Sequence, residues 1–139
     1  MSNKAEGDLV IGLANLQNKI QKRLGAALSA HGISVTEYMV LLQLHGAANN
    51  RMRRIDLAEN VGLSASGVTR LLNPMVKIGL VHKEENARDA RVSLVALSDA
   101  GAQLFQDAEV SFNHAAQTML EPLDRQQQGA LAGIIKALL

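Results

Sequence analysis

The sequence of 139 residues contains no cysteine and no tryptophan. Without cysteine the chain cannot form disulfides, thiolate metal sites or thiol-based redox sensors. Aromatic residues make up only 2% and comprise Tyr38, Phe105 and Phe112. Apolar residues nevertheless reach 47%, which excludes a disordered chain. The core must therefore be built from aliphatic side chains and methionine, and this composition suits packed helices.

Long apolar runs are also absent. The opening MSNKAEGDLV has no apolar signal-peptide core, and no run approaches the ~20 apolar residues of a membrane span. We therefore expect a single soluble, cytoplasmic domain over residues 1–139. The net charge is only +1, but residues 51–91 carry eight Arg or Lys and five Asp or Glu, a net charge of +3. Ordinary scatter could produce this excess, so charge alone does not indicate a nucleic-acid partner.

The first third of the chain has a helical apolar pattern. Steps of three and four separate Leu9, Leu13, Leu16, Ile20, Leu24 and Leu28. This spacing predicts an amphipathic helix over residues 9–30. Ser34 and Glu37 have the spacing of a capping box for a second helix that ends near Gly46, with Thr36 as an alternative cap. The following AANNRMRR is predicted to be a polar connection.

The stretch IDLAENVGLSASGVTRLL contains a break in a helical pattern. Asp56 is expected to cap a short helix through Val61, Gly62 to end it in a left-handed conformation, and Ser64 to cap the next helix. Apolar positions on both sides and the small Ala58 favour a helix-turn-helix, with an ordinary helical hairpin as the alternative.

The second helix of this pair is predicted over residues 65–78, with Gly79 as its stop. Pro74 lies inside it and should kink or tighten the helix. Next, LVHK and RVSLVAL flank the polar EENARDA, which predicts a β-hairpin with a long charged tip.

Two helices complete the predicted secondary structure. Ser98 or Asp99 can cap a helix over residues 100–120, which Pro122 would break. Asp124 and Gln127 have capping-box spacing for a last helix that ends in IIKALL.

This order of elements resembles the MarR (multiple antibiotic resistance regulator) family. The residues that carry the resemblance are DLAENVGLSASGVTRLL, IGLVHKE and RDARVSLVALSDAG, the last with a D-x-R signature. Arg53 departs from the family pattern, which commonly has a threonine cap there. The resemblance implies a mainly α fold with a small β-hairpin wing. It also implies a winged helix-turn-helix lobe at residues 34–99, and N- and C-terminal dimerisation helices at residues 1–33 and 100–139.

The resemblance further implies a homodimeric, DNA-binding transcriptional regulator, expected to be a repressor. Family members bind short inverted repeats, and many release DNA when a small anionic or phenolic ligand binds. The residues independently favour a dimer, because the terminal IIKALL is too apolar for a solvated tail. Packing of this segment within one chain is the alternative. No membrane partner is expected.

A recognition helix places its N-terminal side chains on base edges in the major groove. The residues at these positions are Ser64, Ala65, Ser66, Thr69 and Arg70. For the serines, and Ser64 above all, capping is the alternative role. The family pattern places Arg91 in the minor groove, with its side chain oriented by Asp89 and with Arg88 beside it at the wing tip. A solvated charged hairpin that does not contact DNA is the alternative. Expected phosphate contacts are Arg51, Arg53, Arg54 and Lys77.

The predicted effector site lies between the first two helices and the recognition lobe. Its expected lining residues are Arg23, His31, Tyr38, Met39 and His45, although a structural role is an alternative for each histidine. No metal or other cofactor is expected, because H-x-x-H and H-E-x-x-H spacings are absent. An enzyme is disfavoured, since no nucleophile elbow, phosphate loop or paired carboxylate motif is present. A winged helix that binds protein and does not read DNA is the stronger alternative.

Overall fold

A computed structural model describes residues 3–139 of the chain. The described elements, in chain order, are α1 (Asn3–Ser29), α2 (Val35–Gly46), a 3-10 turn (Ala48–Asn50), β1 (Arg51–Arg53), α3 (Arg54–Val61), α4 (Ala65–Lys77), β2 (Val81–Asn86), β3 (Asp89–Leu97), α5 (Asp99–Leu120) and α6 (Arg125–Leu138). A mainly helical fold with a small antiparallel sheet confirms the predicted fold class. No described helix is long and apolar enough to cross a membrane.

Local capping chemistry sets several of these helix boundaries. The Ser34 hydroxyl accepts a hydrogen bond from the Glu37 N–H at 3.1 Å, and the Glu37 carboxylate accepts one from the Ser34 N–H at 2.8 Å. This capping box confirms Ser34, and not Thr36, as the cap of α2. Asp124 and Gln127 form the same reciprocal pair at the start of α6, as predicted.

The connection between α2 and α3 differs from the prediction. Residues 51–53 form strand β1 and pair antiparallel with β3, with Met52 opposite Val95. The prediction that Asp56 caps α3 is also wrong. The pairing of β1 holds Arg53 extended, so α3 begins directly after it at Arg54, with no side chain as cap. Asp56 then lies in the first turn, where its carboxylate accepts hydrogen bonds from Arg53.

The break between α3 and α4 is the predicted glycine turn. Gly62 has φ = 73°, and the Leu63 N–H donates to the Ala58 carbonyl at 2.9 Å, the bond typical of a Schellman helix end. Ser64 caps α4 by accepting from the Gly67 N–H at 3.0 Å. Helix α4 then continues across Pro74 to Lys77.

The wing is a three-stranded antiparallel sheet in the order β1-β3-β2. The predicted long, charged tip is mostly strand, because only Ala87 and Arg88 lie between β2 and β3. Asn86 pairs with Asp89, and the Asn86 side chain accepts from the Arg88 N–H at 2.8 Å. Backbone pairing and this side-chain turn outweigh the polar character of the sequence, since exposed strands tolerate charged residues.

The core lies between α2, α3, α4, α5 and the sheet. Its fully buried members are mostly aliphatic and include Leu41, Leu44, Leu57, Val68, Leu72, Met75, Val81 and Val95, as the composition predicts. The aromatic rings join it as one stack. The Tyr38 ring centroid lies 5.4 Å from that of Phe105 and 4.4 Å from that of Phe112, which fastens α2 to α5.

The terminal helices lie largely outside this core. None of the residues of α6 is buried. In α1 the apolar residues of the N-terminal half are exposed, with Leu9 at 70% and Leu16 at 45%, whereas Leu24 and Leu28 near its end are buried. Two apolar surfaces of the described chain are therefore uncovered when the chain is taken alone.

Candidate nucleic-acid interface

The N-terminal half of α4 presents a shallow concave surface. It encloses about 540 Å³. Its lining residues are Arg54, Ala65, Ser66, Thr69 and Arg70. Five side chains that the sequence predicted as DNA contacts, four on α4 and one on α3, therefore share one face.

A hydrogen-bond relay joins α3 to this surface. The Arg54 guanidinium donates to the Thr69 hydroxyl, which in turn donates to the Ala65 carbonyl at 3.0 Å. The Thr69 hydroxyl is therefore occupied by hydrogen bonds with Arg54 and with the helix backbone. Arg54, which is partly buried, is held beside the recognition helix as a fixed positive charge.

Ser64 has a different role from its neighbours. Its hydroxyl accepts from the Gly67 N–H and lies 3.3 Å from the Ser66 hydroxyl. A Cβ on residue 67 would lie only 3.1 Å from the Ser64 Oγ. Glycine at this position therefore leaves room for the cap, and the capping role weighed for Ser64 is the one observed.

Arg70 differs from Arg53, Arg54 and Arg91, whose guanidinium groups all have partners within the chain. It is exposed, and among residues 3–139 its guanidinium has no ion-pair or hydrogen-bond partner. Its five N–H donors are thus available to an acceptor outside the chain.

The wing carries an oriented arginine. The Asp89 Oδ1 accepts from both the Arg91 Nε and the Arg91 backbone N–H at 3.0 Å, and the Asp89 Oδ2 accepts from the Arg91 Nη2 at 3.1 Å. The hydrogen bond with Arg91 holds the pKa of Asp89 below its usual value and raises the pKa of Arg91. The Arg91 side chain is still 90% exposed, so the carboxylate orients the guanidinium without covering it.

A cleft of about 610 Å³ separates the wing from the helix-turn-helix. Its cationic lining residues are Arg53, Arg54 and Arg91, and its apolar ones include Ile55, Leu63 and Val92. Arg53 also binds Asp56 through two hydrogen bonds of 2.9 and 3.1 Å. The helix-turn-helix and the wing therefore face each other across a cleft lined by three arginines and one acidic residue, Glu59.

Three predicted DNA contacts lie apart from this surface. Arg51 donates to Glu84 at 2.6 Å, across the intervening strand β3, and His82 contacts the other oxygen of Glu84 at 3.0 Å. Lys77 is at the opposite end of α4 from Ala65, roughly 18 Å along the helix axis. Arg88 lies at the wing tip between β2 and β3.

Three of the residues predicted to line an effector site, His31, Tyr38 and His45, lie against α5. The His31 Nε2 is 2.8 Å from the Ser111 hydroxyl of α5, and the His45 ring lies 4.6 Å from that of Phe105. Tyr38 is only 1% exposed and fills core space. Burial, with a smaller contribution from Glu109, raises the pKa of Tyr38 to about 12. Arg23 is exposed and Met39 is half-buried.

The geometry also contains contacts that sequence patterns did not single out. Lys83 of β2 donates to the Asn73 side chain of α4 at 3.2 Å, which ties the wing to the recognition helix. Within residues 3–139, no group of three or more His, Asp or Glu side chains could hold a metal ion.

Comparison with known proteins shows which family the helix-turn-helix lobe resembles. Residues 31–92 match the model of the MarR family. This part of the chain is similar to the MarR family. The match confirms the resemblance that the helix-turn-helix and the D-x-R wing carried in the sequence.

The MarR-type architecture extends over the whole described chain. A mutant MarR from Escherichia coli, solved in complex with operator DNA, has a TM-score of 0.87 and 22% identity over 100% of this chain and 99% of that one. CouR from Rhodococcus jostii RHA1, solved with p-coumaroyl-CoA, has a TM-score of 0.85 and 20% identity over 99% and 95%. Among curated proteins, the transcriptional repressor MprA of Escherichia coli is 22% identical over 90% of this chain and 71% of its own length.

Proposed function

We propose that the protein is a DNA-binding transcriptional regulator that acts as a repressor. In this proposal it binds an inverted-repeat operator as a homodimer through α4 and the wing. The observation that carries the proposal is the concave face of α4 with the unpaired, exposed Arg70. The match of residues 31–92 to the MarR family model supports it, as does the fold shared with the DNA-bound mutant MarR of Escherichia coli.

The N-terminal half of α4 has the chemistry for base readout. The major groove admits an α-helix, and arginine is the usual bidentate partner of guanine. Arg70 would therefore read guanine, Ser66 a base or phosphate, and Ala65 a thymine methyl group. Because Thr69 holds Arg54, we assign Arg54 to a phosphate beside the recognition helix. We assign Ser64 to the helix cap alone.

The wing has the chemistry for anchoring in the minor groove. A narrow minor groove has an enhanced negative potential that attracts an inserted arginine. The Arg91 side chain is 90% exposed and is oriented by Asp89. Such a contact raises affinity while reading little sequence, so the wing would anchor the protein and α4 would select the site.

The apolar surfaces of α1 and α6 support the proposed dimer. On α6, Ile134, Ile135 and Leu138 are 57%, 47% and 68% exposed. A second copy of the chain would cover these side chains around a two-fold axis. Two recognition helices related by that axis match the symmetry of an inverted repeat.

A gel shift at increasing salt concentrations tests the proposal. The probe is the DNA upstream of the gene, chosen for an inverted repeat, with a scrambled duplex of the same composition as control. We expect a specific complex whose affinity falls steeply and log-linearly with salt, because phosphate neutralisation releases counterions. A winged helix that serves only as a protein-binding module would give no difference between the two duplexes.

We further propose that a small anionic or phenolic ligand releases the DNA. CouR, which shares the fold, has been solved with p-coumaroyl-CoA. Here the site would lie near Arg23, His31, Tyr38, Met39 and His45, with Arg23 as the exposed cation. A ligand can release DNA only by binding the non-DNA conformation better.

The ligand hypothesis has its own gel-shift test. Salicylate-like anions should release the operator at concentrations where peroxide does not, because the chain has no thiol to oxidise. Arg23→Gln should weaken the anion effect, while the exposed Lys19→Gln on the same helix should not. Release by peroxide under conditions that leave methionine unoxidised, with the anions inert, would contradict the hypothesis.

A further inference from the structure

The start of α5 touches the backbone that leaves the recognition helix. A Cβ on residue 101 would lie 2.1 Å from the Leu80 carbonyl oxygen and 2.8 Å from the Leu97 Cδ1, closer than real Cβ atoms come. Other glycines in the helices, such as Gly46, have nothing within 4 Å of that position. Gly101 therefore permits a close approach of two backbones that any side chain would prevent.

Ser98 fastens the same contact with hydrogen bonds. Its hydroxyl lies 2.5 Å from the Gly79 carbonyl oxygen and 2.9 Å from that of Leu80, and its N–H donates to Leu80 at 3.0 Å. The hydroxyl also accepts from the Gly101 N–H at 2.9 Å and so caps α5. The Ser98 side chain thus caps α5 and also binds the two residues, Gly79 and Leu80, that follow α4.

The opposite side of the contact belongs to α4. The N–H groups of Ile78, Gly79 and Leu80 donate back to the carbonyls of the last turn at 3.0–3.1 Å. Gly79 adopts φ = 80° and turns the chain directly into Leu80. The C-terminal end of α4 is therefore joined to the start of α5 through Gly79 and Leu80, by the close approach of Gly101 and by the hydrogen bonds of Ser98.

We propose that this junction, formed by Gly79 and Leu80 against Ser98 and Gly101, fixes the direction of the recognition helix relative to α5. Ser98 and Gly101 are then positioning residues that set the separation of the two recognition helices in the dimer. The consequence for half-site spacing rests on the proposed function, whereas the junction itself can be measured without DNA.

The geometry gives the size of the effect. In Gly101→Ala the new Cβ must move by about 0.9 Å from the Leu80 oxygen to reach the shortest real separation of 3.0 Å. Helix α4 is roughly 20 Å long, so a rotation about its C-terminal end enlarges this displacement at the DNA-reading end. We expect the distance between the recognition helices to shift by at least the size of this displacement, or its distribution to widen.

Spin-label distances in the full chain test the junction. The native chain has no cysteine, so Ser66→Cys gives one label on each recognition helix. Pulsed electron paramagnetic resonance then measures the distance between the two labels of the dimer in the absence of DNA. We expect a narrow distribution for this reference, and a shifted or widened one when Gly101→Ala or Ser98→Asp is added.

Three variants separate positioning from folding. Aspartate caps helices as well as serine does, but a carboxylate cannot donate to the Gly79 and Leu80 carbonyls. Ser98→Asp therefore removes the side-chain hydrogen bonds to these carbonyls, and it keeps both the cap and the hydrogen bond from the backbone N–H of residue 98 to Leu80. Ser98→Thr keeps the hydroxyl and should match the reference, as should Gly46→Ala. If Gly101→Ala does not fold, Ser98→Asp decides the result.

The outcomes distinguish this inference from the proposed function. The inference is overturned if Ser98→Asp and folded Gly101→Ala show the same distribution of label distances as the reference. A broad distribution of label distances in the reference itself also overturns it. If the chain is monomeric, the dimer proposal fails, and labels at Ser66→Cys and Asn113→Cys within one chain measure the junction instead. With operator DNA and no spin label, Ser98→Asp in the otherwise unchanged chain should tolerate a base pair inserted between half-sites that the unchanged chain rejects. Equal discrimination by both would also contradict the inference.

Discussion

The helix-turn-helix lobe and the terminal helices bury their apolar residues in different ways. In the lobe, Leu57, Leu72 and Met75 are completely buried. In α6 no residue is buried, and Leu138 is 68% exposed. Both regions have the apolar periodicity of amphipathic helices. The pattern thus identifies the face that will be buried, but it does not show whether the same chain or a second one covers it.

This difference has a thermodynamic consequence. A lobe that covers its own core has a stability that does not depend on protein concentration. Helices that need a partner are stabilised by association, so their stability rises with protein concentration. The contact between Tyr38 and the α5 rings joins the two regions, so α5 belongs to both. Variants in each region should therefore respond differently to dilution.

The largest expected effect comes from removing α6. Deletion of residues 124–139 should give a monomer or an aggregate and abolish specific DNA binding, because the apolar surface of α1 loses its proposed cover. Sedimentation and gel shift measure the two properties. Ile135→Asp should weaken the dimer in the same direction, while Gln126→Asp on the same helix should not. A truncated chain that stays dimeric and binds normally would show that the terminal helices are not the dimer interface.

Two substitutions that shorten a side chain to alanine compare the two regions directly. Leu72→Ala leaves a cavity in the lobe and should lower the free energy of unfolding by about 2–5 kcal/mol at any protein concentration. Ile134→Ala removes an exposed side chain of α6, and its effect should appear only through dimerisation. Denaturant unfolding at two protein concentrations separates these cases. An equal, concentration-independent loss for both variants would mean that α6 packs within its own chain.

Two arginines distinguish readout from anchoring within the lobe. Arg70→Ala should cost about 1–3 kcal/mol of binding and relax the preference at one position in each half-site. Arg91→Ala should weaken binding to all duplexes similarly and flatten the salt dependence by about one unit per protomer. Binding to a duplex series at several salt concentrations measures both. The reverse pattern would show that the roles of helix and wing are exchanged.

The smallest expected effect concerns pH. Burial raises the pKa of Tyr38 from 10.0 to about 12, so folding favours the protonated phenol. The associated stability is fully present below pH 10 and is lost as pH rises towards about 12. Because Tyr38 is the only tyrosine, its ultraviolet absorbance reports the titration without overlap. Tyr38→Phe should remove this part of the pH dependence, and a midpoint near 10 in the folded protein would contradict the burial of the ring.

The sequence predicted best those features that depend on neighbouring residues. The capping boxes of Ser34 and Asp124 and the left-handed Gly62 are set within a few positions, so their spacing sufficed. Strand β1 was missed because its three residues have no strand signature of their own and pair only with the distant β3. The same pairing fixed the start of α3 and made the predicted cap at Asp56 wrong.

The contacts of the candidate site show the same difference between residues close in sequence and residues far apart. The pairing of Asp89 with Arg91 joins residues two positions apart, and the wing signature contained it. The relay from Arg54 to Thr69 joins residues fifteen positions apart across a turn, and the close approach of Gly101 to Leu80 spans 21 positions. Such contacts depend on how the elements pack, which the sequence pattern does not specify.

The stoichiometry of the complex tests the account most directly. Sedimentation of the intact chain with a labelled duplex that contains the upstream inverted repeat measures how many chains bind one operator. The account predicts two chains per duplex, bound together, with a strong loss of affinity when one half-site is scrambled. One chain per duplex, with the same affinity for a single half-site, would contradict it.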